Sequence, residues 1–192
     1  KKYHIPVFAN KETWNAMPSQ LDKVEKENQK EFCFDYFSIG DITILPFSIP
    51  HDAANPCGFN LYYQNKKMSI ATDIGHMNDT IIHHLSDSSF VLLEANYEPE
   101  ILKCSSYPYL LKQRIAGPNG HLSNEAAGKT ISYLLNHGLK NVMLGHLSKE
   151  NNFPELAYKS VVEQILENHR EETSYQLSVA SRYTPSPIIC VG

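Results

Sequence analysis

The chain has 192 residues, 42% of them hydrophobic and 20% charged, enough for one well-cored domain, short for two, and too apolar for a disordered chain. A formal net charge of -4 excludes a globally basic nucleic-acid binder, although a local basic groove remains compatible with it. No apolar run approaches the roughly 18 residues of a membrane span, no signal peptide is recognisable, and Cys33, Cys57, Cys104 and Cys190 form no CxxC pair; they read as reduced thiols of a cytoplasmic protein, at least one a buried filler.

In chain order, Lys1-Lys2-Tyr3 runs directly into an apolar strand, Ile5 to Ala9, which reads as a chain entered in mid-fold. Asn10 is a candidate N-cap for a short helix through Trp14 and Met17. The charged stretch from Asp22 to Glu31 reads as a solvated turn or edge. Strands are predicted over Phe32 to Phe37, Ile42 to Ile49 and Gly58 to Gln64, from their aromatic and β-branched content. Asn65-Lys66 predicts a tight hairpin into a strand from Lys67 to Thr72. The first half is therefore expected to be mostly antiparallel sheet.

The second half changes character. Ser89 to Glu94 is a continuous apolar run of the kind buried on both faces of a sheet. Leu122 to Gly138 predicts the strongest helix, with Ser123 as cap, Ala127, Ile131, Leu134 and Leu135 as its apolar stripe, and Gly138 closing it. A strand from Lys140 to Leu144 follows, then a helix from near Pro154 towards His169, and two last strands, Tyr175 to Ala180 and Pro187 to Val191. Sheet first and alternating helix and strand later predicts a layered α/β sandwich.

Three polar residues stand at predicted strand ends: His51, Asp73 and His146. Strand ends are rigid mounts that open onto loops, the placement a metal or catalytic group requires. Imidazole nitrogen and carboxylate oxygen suit zinc or manganese, and one carboxylate can bridge two ions. Singly, each signal is weak, because a histidine after an apolar strand is more often structural and a strand-end Asp is more often a turn former.

In combination they carry a resemblance. The order His51, Asp73, His146 resembles the third, fourth and fifth metal motifs of the metallo-β-lactamase superfamily. The strings HDAANPCGF (51–59), ATDIG (71–75), LLEAN (92–96), GHLSN (120–124) and GHLSKENN (145–152) are similar to one branch, the YycJ (WalJ) hydrolases, over a span from about Tyr3 to Pro154. The resemblance implies an αββα sandwich over residues 1–192, incomplete at its N-terminus. The family's HxHxDH motif and its preceding aspartate-bearing strand are not found in this sequence, and the chain is expected to begin just after them.

By the same resemblance, His51 would join two upstream histidines on one divalent ion, and His146 an upstream Asp-His pair on the other, with Asp73 bridging both. Two zinc or manganese ions, about 3.5–4 Å apart, would be expected in a complete member and a half-formed site here. The family implies hydrolysis of double-stranded DNA from a 5′ end. Alternatives are hydrolysis of a small cyclic phosphodiester, thioester or lactam, and an inactive fragment serving as a folding half or interaction surface. This chain alone is expected to hold fewer than two ions and to expose an unpaired edge.

His121 resembles the Gly-His-Ser/Thr histidine of tRNA 3′-processing nucleases, which implies a proton-donating or phosphate-contacting role beside Asp73, against a capping role. Glu94 and Asn96 are candidates for orienting a ligand imidazole, with a simple turn the alternative for Asn96. Ser123 reads as a helix cap, with phosphate contact as its alternative. Tyr107, Tyr109, Lys112 and Arg114, expected between helices, read as rim tyrosines with solvated bases, or as a surface tracking a nucleic-acid backbone. His76, His83, His84 and His137 read as bland surface residues.

Overall fold

The computed structural model describes residues 3–21, 23–168 and 174–191. Its elements are β1 (Val7–Ala9), α1 (Lys11–Ala16), α2 (Pro18–Leu21), β2 (Gln29–Glu31), β3 (Phe37–Ile39), β4 (Ile42–Ser48), β5 (Cys57–Tyr63), β6 (Lys66–Ala71), α3 (Asp79–Leu85), β7 (Phe90–Glu94), α4 (Pro99–Cys104), α5 (Tyr109–Ile115), α6 (Asn124–Leu135), β8 (Asn141–Gly145), α7 (Pro154–Asn168) and β9 (Gln176–Val179). β1 and β2 form a small parallel pair, and β3 to β9 form one seven-stranded sheet in sequential order.

The sheet changes polarity midway. β3 to β6 are antiparallel neighbours, joined between β5 and β6 by a turn at Gln64-Asn65 in which Gln64 takes φ 52. β6 to β9 are parallel neighbours, each step needing a crossover that supplies a helix. Because β4 runs antiparallel to β5 and β5 to β6, β4 also points the same way as β6. The C-terminal ends of β4, β6, β7, β8 and β9 therefore all open at one edge.

The core lies between this sheet and α3, α6 and α7. Ile81 and Leu85 of α3, Ile131 and Leu134 of α6, and Val161 and Ile165 of α7 meet Phe47, Ala71, Val91, Leu93, Val142 and Leu144 of the strands. α6 begins two residues later than the apolar pattern suggests, because Ser123 is its cap and accepts from the Ala126 amide at 3.2 Å. Gly138, at φ 91, ends the helical segment in a left-handed conformation.

The opposite face is covered differently. The pairings Ile44 with Leu61, Phe59 with Ile70 and Leu61 with Met68 put these side chains together on the face away from the helices. Phe8, Phe32 and Phe37 lie over part of it, with Phe32 5.3 Å from Phe37 and 5.8 Å from Phe59. Among the described residues, the large sheet carries a helix layer on one face and is accompanied by the small β1–β2 sheet.

Two predicted strands are absent as such. Phe32 to Tyr36 links β2 to β3 instead of forming one strand, because Asp35 accepts its neighbour's amide, Tyr36 N–H, at 2.7 Å and bends the chain. Pro187 to Val191 forms no ladder, as Pro185 and Pro187 have no N–H to donate. The predicted cap of the first helix is present, Asn10 accepting from Thr13 N–H at 2.8 Å. The final long helix is described to Asn168; Asp22 and His169 lie outside the described residues.

Candidate metal centre

The polarity of the sheet brings the predicted residues together. His51 follows β4, Asp73 follows β6, Glu94 ends β7 and His146 follows β8, so all four emerge at the same edge. His121 arrives from the loop between α5 and α6, which is tied to that edge by Asn96 N–H to Leu122 O at 2.8 Å. His51 Nε2 lies 3.5 Å from Asp73 Oδ1, His146 Nδ1 3.4 Å and His121 Nδ1 3.7 Å. The rings of His51 and His146 flank that of His121, with centroids 5.0 and 5.2 Å away.

Each imidazole has one nitrogen tied down. His51 Nδ1 donates to the Gly120 carbonyl at 2.9 Å, and His121 and His146 each donate from Nδ1 to Glu94 Oε1 at 2.8 Å. An N–H committed to a protein acceptor leaves the Nε2 lone pair of the same ring as the free ligand atom. Gly120 is needed for the first of these contacts, because a Cβ there would sit 2.2 Å from the Arg114 and Ile115 carbonyl oxygens.

Asp73, Glu94, His121 and His146 offer ligand atoms within 4.8 Å of one another. Their chemistry separates them. Glu94 is completely buried, and its second oxygen accepts the backbone amides of Ile74 at 2.7 Å and Leu122 at 3.2 Å. With four hydrogen bonds its accepting capacity is filled, so it keeps no lone pair for an ion. Asp73, with its side chain 41% exposed, keeps oxygen capacity for an ion. Burial pushes the Glu94 carboxyl up, but the hydrogen bonds from His121, His146 and Ile74 outweigh it and hold the group below the usual carboxylate range. Glu94 in turn raises His146, against the opposing effect of burial and with help from the Asp73 charge.

The imidazoles of His51 and His146 with the Asp73 carboxylate form a donor set that fits a divalent transition-metal ion. A pair of ions needs more donors than these residues provide. Asp73 and His146 reach the centre on left-handed backbone, at φ 60 and φ 54, a region uncommon outside Gly but one in which Asp and His are enriched.

The remaining sequence candidates are placed less centrally. Asn96 holds the main chain of His146 and does not touch its ring, donating from Nδ2 to the His146 carbonyl at 2.7 Å. Ser123 is occupied as the α6 cap. Tyr109, Lys112 and Arg114 lie on α5 itself, not between helices. Lys112 Nζ donates to the Lys103 carbonyl at 2.7 Å. Arg114 pairs with Asp52, next to His51, and holds that carboxyl below its ordinary range. His76 is anchored to the Pro118 carbonyl and His137 to the Tyr133 carbonyl. His84 is not a bland surface residue: it stacks on Phe47 at 4.6 Å, and burial lowers its pKa. All four cysteines are free, and burial pushes the Cys57 thiol up to about 11.

Sequence reasoning had no role for Asn152. Its buried amide donates to the carbonyls of Ala95 at 2.9 Å and Asn96 at 3.1 Å and pairs with Asn124, joining the exits of β7 and β8 to α6. The repeated Asn151-Asn152 before a helix was the available signal.

This fold and its edge of ligand-type side chains define a class. The chain has the metallo-β-lactamase fold: it superposes on the metallo-β-lactamase fold protein YhfI from Bacillus subtilis with TM-score 0.59 at 14% identity, covering 91% of this chain and 61% of that one. On Zn(2+)-bound PqqB from Methylobacterium extorquens the score is 0.60 at 12% identity, covering 93% and 64%. Within that class the chain is similar in sequence to proteins named as YycJ/WalJ exodeoxyribonucleases. It is 34% identical to exodeoxyribonuclease YycJ of Bacillus anthracis over 168 residues and 37% identical to exodeoxyribonuclease WalJ of Streptococcus pneumoniae, matching 87% and 86% of this chain. The matched segment spans about three-fifths of those relatives, 63% and 62%. No protein-family model matches the chain.

Proposed function

We propose that this chain carries part of the active site of a metal-dependent phosphodiester hydrolase, an exonuclease degrading double-stranded DNA from its 5′ end. The observation that supports it best is the ring of His51, His121 and His146 around Asp73, each ring tied at Nδ1, in a chain related to named exodeoxyribonucleases. His51, Asp73 and His146 would hold divalent ions, zinc or manganese. Bound there, such ions supply a hydroxide nucleophile and neutralise charge on the phosphoryl oxygens.

The chain's own residues do the positioning. Glu94 fixes the His121 and His146 rings, so that neither has to be ordered when substrate arrives. His121, with Nδ1 on Glu94, presents Nε2 to the reacting phosphate and can hold the proton that passes to the leaving sugar oxygen. Arg114 restrains Asp52 beside His51.

The test is hydrolysis of a 5′-phosphorylated duplex by the full-length protein with manganese or zinc, compared with a panel of small cyclic phosphodiesters, thioesters and lactams. We expect mononucleotides to be released from the 5′ end, cleavage to stop in chelator, and His146→Ala to lose metal and activity together. Turnover of the small esters alone, or full activity and metal content in His146→Ala, would overturn the reading.

A further inference from the structure

A second feature opens at the same edge of the sheet. A groove of about 470 Å³ starts at His146 and runs between the segment after β8, with Ser148, Lys149 and Phe153, and the segment after β9, with Arg182 and Tyr183. That volume suits a ligand of nucleotide size. β8 and β9 are parallel neighbours, so both segments leave the sheet beside the proposed metal ligands.

Its lining is chemically mixed. Arg182 donates one guanidinium N–H to the Leu147 carbonyl, which fixes the fork and leaves its other donors available. Among the described residues, neither Arg182 nor Lys149 is paired with a carboxylate, whereas Lys103, Arg114, Lys129 and Lys159 are. Tyr183 is 82% exposed and Phe153 49%. The turn that presents Tyr183 is built: Ser181 Oγ accepts the amides of Tyr183 at 3.2 Å and Thr184 at 3.1 Å. Two uncommitted cations and two open rings stand together on a protein of net charge -4.

We propose that this groove seats the nucleotide adjoining the scissile phosphodiester, Arg182 and Lys149 taking its phosphate and Tyr183 and Phe153 stacking on its base. The proposal rests on the phosphodiesterase reading above. A guanidinium fork matches phosphate oxygens in charge and geometry. Aromatic faces accept any base, so the groove reads strand and not sequence. A groove of single-nucleotide size has no room for the pairing partner, so it receives the frayed end of a strand and helps to melt a duplex terminus.

The test uses two readouts on the full-length protein. Anisotropy of a fluorescent, 5′-phosphorylated single-stranded octanucleotide in chelator measures binding without cleavage. Hydrolysis of bis(p-nitrophenyl) phosphate with manganese measures chemistry on a substrate too small to use the groove. We expect Arg182→Gln and Tyr183→Ala each to weaken strand binding about 10-fold and to raise KM for DNA. Lys129→Gln, on the exposed face of α6, should keep the strand binding, metal content and small-diester kcat of the wild type. Unchanged strand binding in both variants, an equal loss in Lys129→Gln, or no strand binding by the wild type overturns the groove assignment. If the wild type hydrolyses neither substrate while strand binding still depends on Arg182 and Tyr183, the phosphodiesterase reading falls and the groove stands as a nucleic-acid seat.

Discussion

Glu94 is buried at the centre and ties two of its rings. One of its oxygens receives two imidazoles and the other two amides. Glu94→Gln is nearly isosteric: its amide oxygen can still accept the Ile74 and Leu122 amides, but its NH₂ cannot accept from two Nδ1–H groups. The variant is expected to fold and to lose about 10–100-fold in metal affinity, read by calorimetric titration with zinc; unaltered affinity would leave Glu94 with a packing role only. That His51, Asp73 and His146 come together was legible, because ligand-type residues after apolar strands carry a recognisable order. The acceptor for His51 was not, since it is the Gly120 main-chain carbonyl, and a carbonyl has no residue identity. Nor was Arg114 with Asp52: the two are 62 positions apart, and only the folded chain makes them neighbours.

Elements with strong local signals were read correctly. The α6 cap is one, and it supports a prediction that separates its two readings. Ser123→Ala should cost about 1 kcal/mol of stability and leave strand binding and metal affinity untouched; a phosphate contact would instead raise KM for DNA with little loss in melting temperature. The α3 helix carries a signal that sequence did not reveal. His84 lies between Phe47 and the polar trio of Asn60, Ser69 and Ser88, and burial first, then His83 and Lys67, lower its pKa below 6.5. A lowered folded-state pKa means the unfolded chain takes up the proton first, so stability is complete above 6.5 and declines as pH falls through the folded value. NMR titration should place His84 below 6.5, and His84→Phe should flatten the stability profile in that window. The failures have the same physical origin. Residues 32–36 and 187–191 have strand-like composition, but a side-chain acceptor at Asp35 and two prolines remove the ladder.

At the scale of the whole molecule, the switch from antiparallel to parallel pairing at β6 assembles the centre, because it turns four separate strand ends towards one edge. The layered class was legible from strand-rich and helix-rich halves; the pairing order was not, since parallel contacts depend on crossovers longer than any local pattern. The apolar face of Ile44, Phe59, Leu61 and Met68 follows from simple alternation, while its partial cover by three phenylalanines depends on how residues 7–37 return across it. The position of Asp73 has a consequence for evolution. It puts a negative charge within 4.8 Å of the buried Glu94 carboxylate. A chain selected for thermal robustness alone would discard that aspartate. Asp73→Asn should therefore melt higher than wild type in chelator. Wild type should regain the deficit on adding metal, by about 2.7 kcal/mol at a hundredfold excess over Kd, and the variant should not. Calorimetric scans of both proteins with and without zinc would measure how much robustness the lineage has given up to keep its chemistry.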